Sequence, residues 1–352
     1  MSDQEEYPLT RSKRHQKKKK KKPKSKKPLI ITAIILLLIG SMGFVFRKEL
    51  VPIAFKLFLE GTVKEGIDNA YEPIKEVTGP AGDEEKQDEL SKPFSMLLLG
   101  VDEREGDVGR SDTMIYAVFR PEEHRMLLMS IPRDSYVPIV GRDKRDKVNA
   151  AYAYGGTKMS VETVEQLLQT DVDYYAKVNF QALVEVVDAL GGVKLPITEV
   201  IENKYKYHVK LRIEPNKPIY DGADALNYVR YREDSDFKRT ERQRIFIKAA
   251  TERALALGNI TKIPQLMDIA SSNMKTDMTS DFIIDLAELL YEKGSVPQMS
   301  SYMLKGEGEN NKYGWYYMLS DQGLAEAQQL VDNWMDENTA ATALIDPELK
   351  EQ

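Results

Sequence analysis

Alternating helix and strand signals predict an α/β sandwich around a central mixed β-sheet, preceded by a single transmembrane helix. Three observations carry this expectation. Ser95–Val101 (SMLLLGV) is an unbroken apolar run, as expected of a strand buried on both faces. Helical stretches recur between further short apolar runs, the pattern of a sheet covered by helices. Finally, Leu29–Phe46 is 18 residues without a charge, enough at 1.5 Å per residue to reach across a bilayer core of about 30 Å.

The chain opens on a basic arm. Residues 1–28 hold 12 Lys and Arg against 3 Asp and Glu, a net charge of +9, whereas the remainder carries −15. Beside an apolar span, the Lys17–Lys22 run reads as an orientation signal that also meets anionic lipid, with no nucleic-acid partner implied. The positive-inside rule places 1–28 in the cytoplasm and everything beyond about residue 50 outside. The span is longer than a cleaved signal's apolar core and lacks a good small-x-small site, so an uncleaved signal anchor over 29–46 is expected. Residues 50–77 read as a mildly amphipathic juxtamembrane helix or stalk, and 78–93 (TGPAGDEEKQDELSKP) as a linker. The compact domain is expected to start near Phe94.

Within that domain, strands are predicted over Met114–Phe119, Met126–Ile131, Tyr174–Asn179 and Val193–Pro196. Helices are predicted over Thr157–Thr170 and Phe180–Leu190, the latter closed by Gly191-Gly192. Beyond Asp236 the expected helices are Phe237–Leu257, Ile263–Asn273, Ser280–Tyr291 and Asp321–Met335. Strands are expected at Ser300–Leu304 and Trp315–Leu319.

Composition narrows the chemistry. Hydrophobic residues make up 42% of the 352, so the chain can build a sizeable core. With no Cys, disulfide frameworks, thiolate metal sites and Cys nucleophiles are excluded. Three His leave little room for a His-built zinc centre or a Ser-His-Asp relay. Carboxylates, Arg and hard cations remain.

Three segments supply them. In the first, Asp102 follows a buried strand and Asp112 begins the next, flanked by Arg104 and Arg110. Two such carboxylates suit Mg²⁺, which completes its shell with water and phosphate, although turn capping by Asp112 explains the spacing equally simply. In the second, Ser130-Ile131-Pro132-Arg133-Asp134, the Pro turns Arg133 and Asp134 out of the sheet. The third is densest, with five Arg between 230 and 244 in a body of excess acid. If 228–232 are extended, Tyr228, Arg230 and Arg232 share a face. If a helix starts near Asp236, Arg239, Arg242 and Gln243 share one as well. Guanidinium forks match phosphate oxygens, but Glu233, Asp234 and Glu241 could equally make a salt-bridged helix. Helices Phe180–Leu190, Ile263–Ile269 and Phe282–Leu290 could line an apolar groove for a lipid tail, or serve as plain core.

These motifs, in this order, resemble the LytR-CpsA-Psr family of bacterial cell-envelope proteins. The match rests on LLLGVD, GRSDT, SIPRDSYV, KVNAAYAYGG (Lys147–Gly156), VNFQALVEVVDALGGV and DG-x-x-AL-x-YVR-x-R…D-x-x-R-x-x-RQ. The resemblance implies an α/β/α fold with an apolar tunnel for a polyprenyl chain. It also implies a Mg²⁺-dependent phosphotransferase that moves wall teichoic acid or capsular polysaccharide from an undecaprenyl-diphosphate carrier to peptidoglycan. By that resemblance Asp102 and Asp112 hold the metal, and Arg110, Arg133, Arg230, Arg232, Arg239 and Gln243 bind the diphosphate. Arg110, Asp236 and Arg239 would act in catalysis. The implied organisation is a cytoplasmic tail (1–28), signal anchor (29–46), stalk and linker (47–93), extracellular catalytic domain (94–340) and C-terminal tail (341–352). A polyprenyl-diphosphate hydrolase, a non-catalytic envelope-polymer binding protein and the older label of transcriptional attenuator are the competing expectations. A 28-residue cytoplasmic tail is too short to bury a DNA-binding module.

Overall fold

The computed structural model describes residues 64–75, 90–101, 109–205, 210–256, 262–312 and 314–347. The basic arm, the apolar span 29–46, and Asp102 with Arg104 lie outside them. No helix among the described residues is long and apolar enough to cross a membrane.

A six-stranded mixed sheet organises the domain. Its strands are β1 (Phe94–Val101), β2 (Ser111–Arg120), β3 (Arg125–Ser130), β6 (Tyr174–Asn179), β9 (Met274–Thr276) and β10 (Gln298–Met303), in the order β10-β3-β2-β1-β6-β9. β1 runs antiparallel to β2 and parallel to β6, while β10 runs parallel to β3. Strand alternation gives β1 two apolar faces. Leu97, Leu99 and Val101 join a core covered by α2 (Ala150–Leu168) and α8 (Asp321–Met335). Phe94, Met96 and Leu98 face the other way, where Phe282 and Leu286 of α7 (Ser280–Lys293) meet them. The sheet is therefore sandwiched, as its unbroken apolar strands require.

A separate apolar cluster lies off the sheet. It joins Val187 of α3 (Phe180–Ala189) to Ala225 and Val229 of α4 (Gly222–Arg230) and Ala249 of α5 (Asp236–Ala254). The short hairpin β7 (Ile201–Glu202) and β8 (Arg212–Ile213) contributes Ile213. Side-chain caps fix the helix starts: Asn179 accepts from the Ala182 N–H, Asp221 from Asp224 and Ser235 from Lys238, at 2.8–3.0 Å. At the far end of β2, buried Arg120 donates to the main-chain oxygens of Trp334, Asp336 and Thr339 and ties down the end of α8.

Several expectations are corrected. Val193–Pro196 is no sheet strand; only Val193 makes a bridge, to Tyr220, because Val193 and Leu195 pack into the cluster off the sheet. Residues 228–230 are helical, since Asp221 caps α4 and the helix runs to Arg230 before Tyr231 extends. α2 begins seven residues early and bends at Gly155 and Gly156, the latter at φ +66°. The expected stalk is in part domain. α1 (Lys64–Ala70) buries Ala70, Tyr71 bridges to Thr276, and the Tyr175 hydroxyl donates to the Glu72 oxygen at 2.6 Å. The expected C-terminal tail also packs, with Trp334 Nε1 donating to the Ile345 oxygen at 2.9 Å. α6 (Ile263–Asn273), β4 (Tyr136–Pro138), β5 (Arg145–Lys147), β11 (Gly306–Asn311) and β12 (Gly314–Leu319) complete the elements used below.

Candidate active site

The site forms where β1 ends, β2 begins and α4 hands over to α5. Gly100 makes this junction tight: a Cβ there would stand 2.9 Å from Thr113 Cβ. The register slips by one residue at Val101, which faces Ser111. Asp112 is thereby set at the sheet end. β3 stops at Ser130, and Pro132 begins a turn closed by the Ser135 N–H on the Pro132 oxygen. That turn carries Arg133 to Asp112, where its guanidinium reaches Asp112 Oδ1 at 2.5 Å.

From the other side come the two helices. Arg230 closes α4 and Arg232 follows in the connection, both exposed. Arg242 holds that connection in shape, gripping Asp234 with both terminal nitrogens (2.7 and 2.9 Å) and the Tyr231 oxygen at 2.6 Å. Burial pushes the Asp234 carboxyl up, but the Arg242 hydrogen bonds and the Ser235 N–H prevail and hold it below its ordinary value. Burial likewise pushes the Tyr228 hydroxyl up to about 12, against the pull of Arg242, so the phenol stays protonated. On α5, Arg239 and Gln243 lie one turn apart on one face. Arg239, only 5% exposed, donates to the Asp112 main-chain oxygen at 3.0 Å.

Asp112, Arg133, Arg230, Arg232, Arg239 and Gln243 all line one cavity of about 370 Å³. Four guanidinium groups against one carboxylate make it an anion site, graded from exposed arginines at the rim to a buried one inside. Phe180, Leu211 and Val229 give it an apolar wall, and the Arg230 guanidinium lies 4.9 Å above the Phe180 ring. Sequence reasoning did not single out Asn203 or Asn227 as lining residues; they carry no charge, and long-range packing brings them here. Arg110, one residue before β2, is exposed and does not line the cavity. Arg242 serves the connection and also stays outside the lining. Asp102, Arg104 and the Asp236 side chain lie outside the described residues.

Along α5, one helical turn past Gln243, Ile247 packs against the buried Ile115, Ala117 and Leu128 on the second face of the sheet, as do Leu98, Met126 and Met299. Ile247, Leu98, Met126 and Met299 are themselves only partly buried. One face of α5 thus passes from cationic to apolar. Of the predicted groove helices, Phe180 reaches the cavity while Phe282 is packed into the core.

An α/β sandwich with an arginine-lined anion cavity at its sheet end defines the class, and residues 65–333 match the family model of the LytR_cpsA_psr family. The chain belongs to that family. It is 35% identical over 268 residues to the polyisoprenyl-teichoic acid–peptidoglycan teichoic acid transferase TagU of Bacillus subtilis, covering 75% of this chain and 82% of the relative. The Bacillus licheniformis protein of the same name is 37% identical over 237 residues, or 66% of this chain and 75% of the relative. Among solved structures, B. subtilis TagV matches with a TM-score of 0.60 at 28% identity, covering 70% of this chain and 99% of that one. TagT bound to LIIa-WTA matches with a TM-score of 0.57 at 30% identity, over 70% and 92%.

Proposed function

We propose that this chain is a phosphotransferase moving an anionic cell-wall glycopolymer, wall teichoic acid or capsular polysaccharide, from an undecaprenyl-diphosphate carrier to peptidoglycan. The observation that carries the reading is the gathering of Arg133, Arg230, Arg232 and Arg239 around a single cavity with Asp112. Names of the TagU relatives supply the polymer and the acceptor. The polar-to-apolar face of α5 suits a lipid diphosphate, with the headgroup at Arg239 and Gln243 and the chain along Ile247 toward Met126 and Met299.

In this reading a sugar hydroxyl attacks the phosphorus next to the glycopolymer. A new P–O bond forms, the bridging P–O bond to the prenyl phosphate breaks, and that monophosphate leaves with the electron pair. Arg133, Arg230, Arg232 and Arg239, helped by Arg110 from beyond the cavity rim, hold the non-bridging oxygens and stabilise the charge that grows on the leaving group. Asp236 takes the hydroxyl proton. Asp112, whose half-buried carboxylate faces the cavity, and Asp102, the residue after Val101, would hold Mg²⁺. A single described carboxylate fits the ion's habit of taking one or two protein ligands beside phosphate and water. Bound there, Mg²⁺ supplies Lewis-acid neutralisation of the diphosphate. Residues 29–46 anchor the chain in the membrane, with 1–28 cytoplasmic and the domain outside, beside its lipid-linked substrate.

The test is product analysis with purified chain and a lipid-linked teichoic acid precursor, with and without peptidoglycan. Transfer to peptidoglycan is expected. Release of free phosphorylated polymer at the same rate without acceptor identifies a hydrolase and overturns the reading.

A further inference from the structure

Beside the cationic cavity lies a second depression of about 450 Å³, and the two share Arg133 and Arg239. Its walls differ in chemistry. Trp315 and Tyr317 come from β12 and Phe237 from the first turn of α5, while Asp134 supplies a carboxylate. Phe237 and Trp315 remain 51% and 36% exposed, although large apolar side chains are otherwise mostly withdrawn from water.

The hairpin of β11 and β12 is built to hold that indole. A Cβ on Gly308 would come within 2.9 Å of Trp315 Cζ2 and 3.0 Å of its Nε1, so the ring lies over a backbone position without a side chain. The hairpin is also fastened to the arginine turn. The Tyr317 N–H donates to the Asp134 main-chain oxygen at 2.9 Å, and the Tyr317 hydroxyl donates to the Leu304 main-chain oxygen at 3.1 Å. The Asp134 carboxylate is fixed in turn by Lys147 Nζ at 2.6 Å and Arg133 Nε at 3.3 Å.

Two exposed aromatic rings, a Tyr and a carboxylate, set against cations, select an occupant. A second phosphate would find no cation of its own among Phe237, Trp315 and Tyr317, because Arg133 and Arg239 are shared with the first cavity and Lys147 is held by Asp134. A prenyl chain would bury that carboxylate against hydrocarbon. A pyranose satisfies both walls, because its C–H face packs on an aromatic ring and its hydroxyls donate to a carboxylate. The depression also continues. A third, of about 280 Å³, shares Phe237, Met303, Gly306 and Tyr317 with it, leaving space for the next sugar of a chain.

We propose that the Trp315 depression is the acceptor subsite, seating a sugar ring of the acceptor glycan so that one hydroxyl points past Arg133 and Arg239 at the phosphorus. The proposal rests on the transfer reading above and adds where the acceptor binds. Trp315 is its platform, and Gly308 is a positioning residue that acts through the indole.

The test uses the full chain in detergent and a purified tetrasaccharide of alternating N-acetylglucosamine and N-acetylmuramic acid. Calorimetry should show saturable binding by wild type, weakened about tenfold in Trp315→Ala and in Gly308→Val, which displaces the ring, and largely restored in Trp315→Phe. Geranylgeranyl diphosphate affinity and the unfolding midpoint, measured on the same variants, should stay at wild-type values. No tetrasaccharide binding by wild type, or equal binding by both variants, overturns the proposal. A parallel loss of diphosphate affinity does so too, since it would give the depression to the carrier. Tetrasaccharide binding that depends on Trp315 without any transfer by wild type leaves the subsite standing and removes the transfer reading alone.

Discussion

Arg239, near the start of α5, donates from its guanidinium to the main-chain oxygen of Asp112 at 3.0 Å, joining parts of the chain 127 residues apart. The bond couples the handover from α4 to α5 to the end of the sheet. It also leaves the rest of a nearly buried guanidinium in the wall shared by both depressions. Arg239→Gln keeps a donor but loses the charge and the fork. Its transfer rate should fall by about 100-fold, the scale of losing a charged donor to a developing anion. Single-turnover rates with a lipid-diphosphate substrate will show it, and a loss below about threefold would place Arg239 outside the chemistry.

Arg230 stands at the rim with its guanidinium 4.9 Å above Phe180. Lysine keeps the charge yet gives up the planar fork and the stacking. Arg230→Lys should therefore lose at least about tenfold in kcat/KM, with the unfolding midpoint unmoved because the side chain is exposed. Wild-type turnover by that variant would count against a phosphate role for Arg230.

Chelation tests the acidic half of the site. EDTA should abolish transfer and Mg²⁺ restore it, and Asp112→Asn should lose about 100-fold even in excess Mg²⁺. The Asn variant should also weaken the hold on Arg133, which would lose its charge partner at 2.5 Å and keep Asp134 at 3.3 Å. Full activity in chelator would remove Asp112 from the metal role.

Stability should depend on pH through Asp277, beside β9. Burial pushes its carboxyl from 3.8 up to about 6, only partly offset by the Tyr175 N–H that it accepts at 2.7 Å. An acid raised in the native chain binds its proton more tightly there than when unfolded. Its stabilising contribution is thus complete below about pH 4 and is lost as pH rises through 6. After discounting for its partial exposure, this amounts to about 1 kcal/mol. Asp277→Asn keeps an oxygen for Tyr175, so its unfolding midpoint should rise by roughly 2 °C at pH 7.5 and change little at pH 4. Equal shifts at both pH values would exclude the carboxyl as the cause.

Much of this was legible in the sequence, for identifiable reasons. β1 announces itself because burial on both faces forces Met96–Leu99 to be apolar without a break, and α8 matches its predicted bounds through a regular apolar stripe after Ser320. The arginine segment was legible as chemistry but not as shape. Asp221-Gly222 is a capping signal that makes 222–230 helical, and an extended reading overlooks it. Strands of two or three residues, such as β7, β8 and β9, are too short to show a period, since pairing across the chain creates them. The Trp315 wall was invisible for another reason: Gly308, Phe237 and Asp134 meet only after folding, and nothing in their spacing ties them together.

The stitching of Tyr71 and Glu72 to Thr276 has a practical consequence for anyone trimming the protein. The Glu72 N–H donates to the Thr276 oxygen at 2.7 Å, and β9 is the last strand of its sheet. Those residues therefore act as a border strip that keeps a row of backbone hydrogen-bonding groups from recruiting a neighbouring molecule. A version cut to begin at Phe94 should self-associate along that flank during concentration, whereas one beginning at Lys64 keeps the strip and should be far slower to do so.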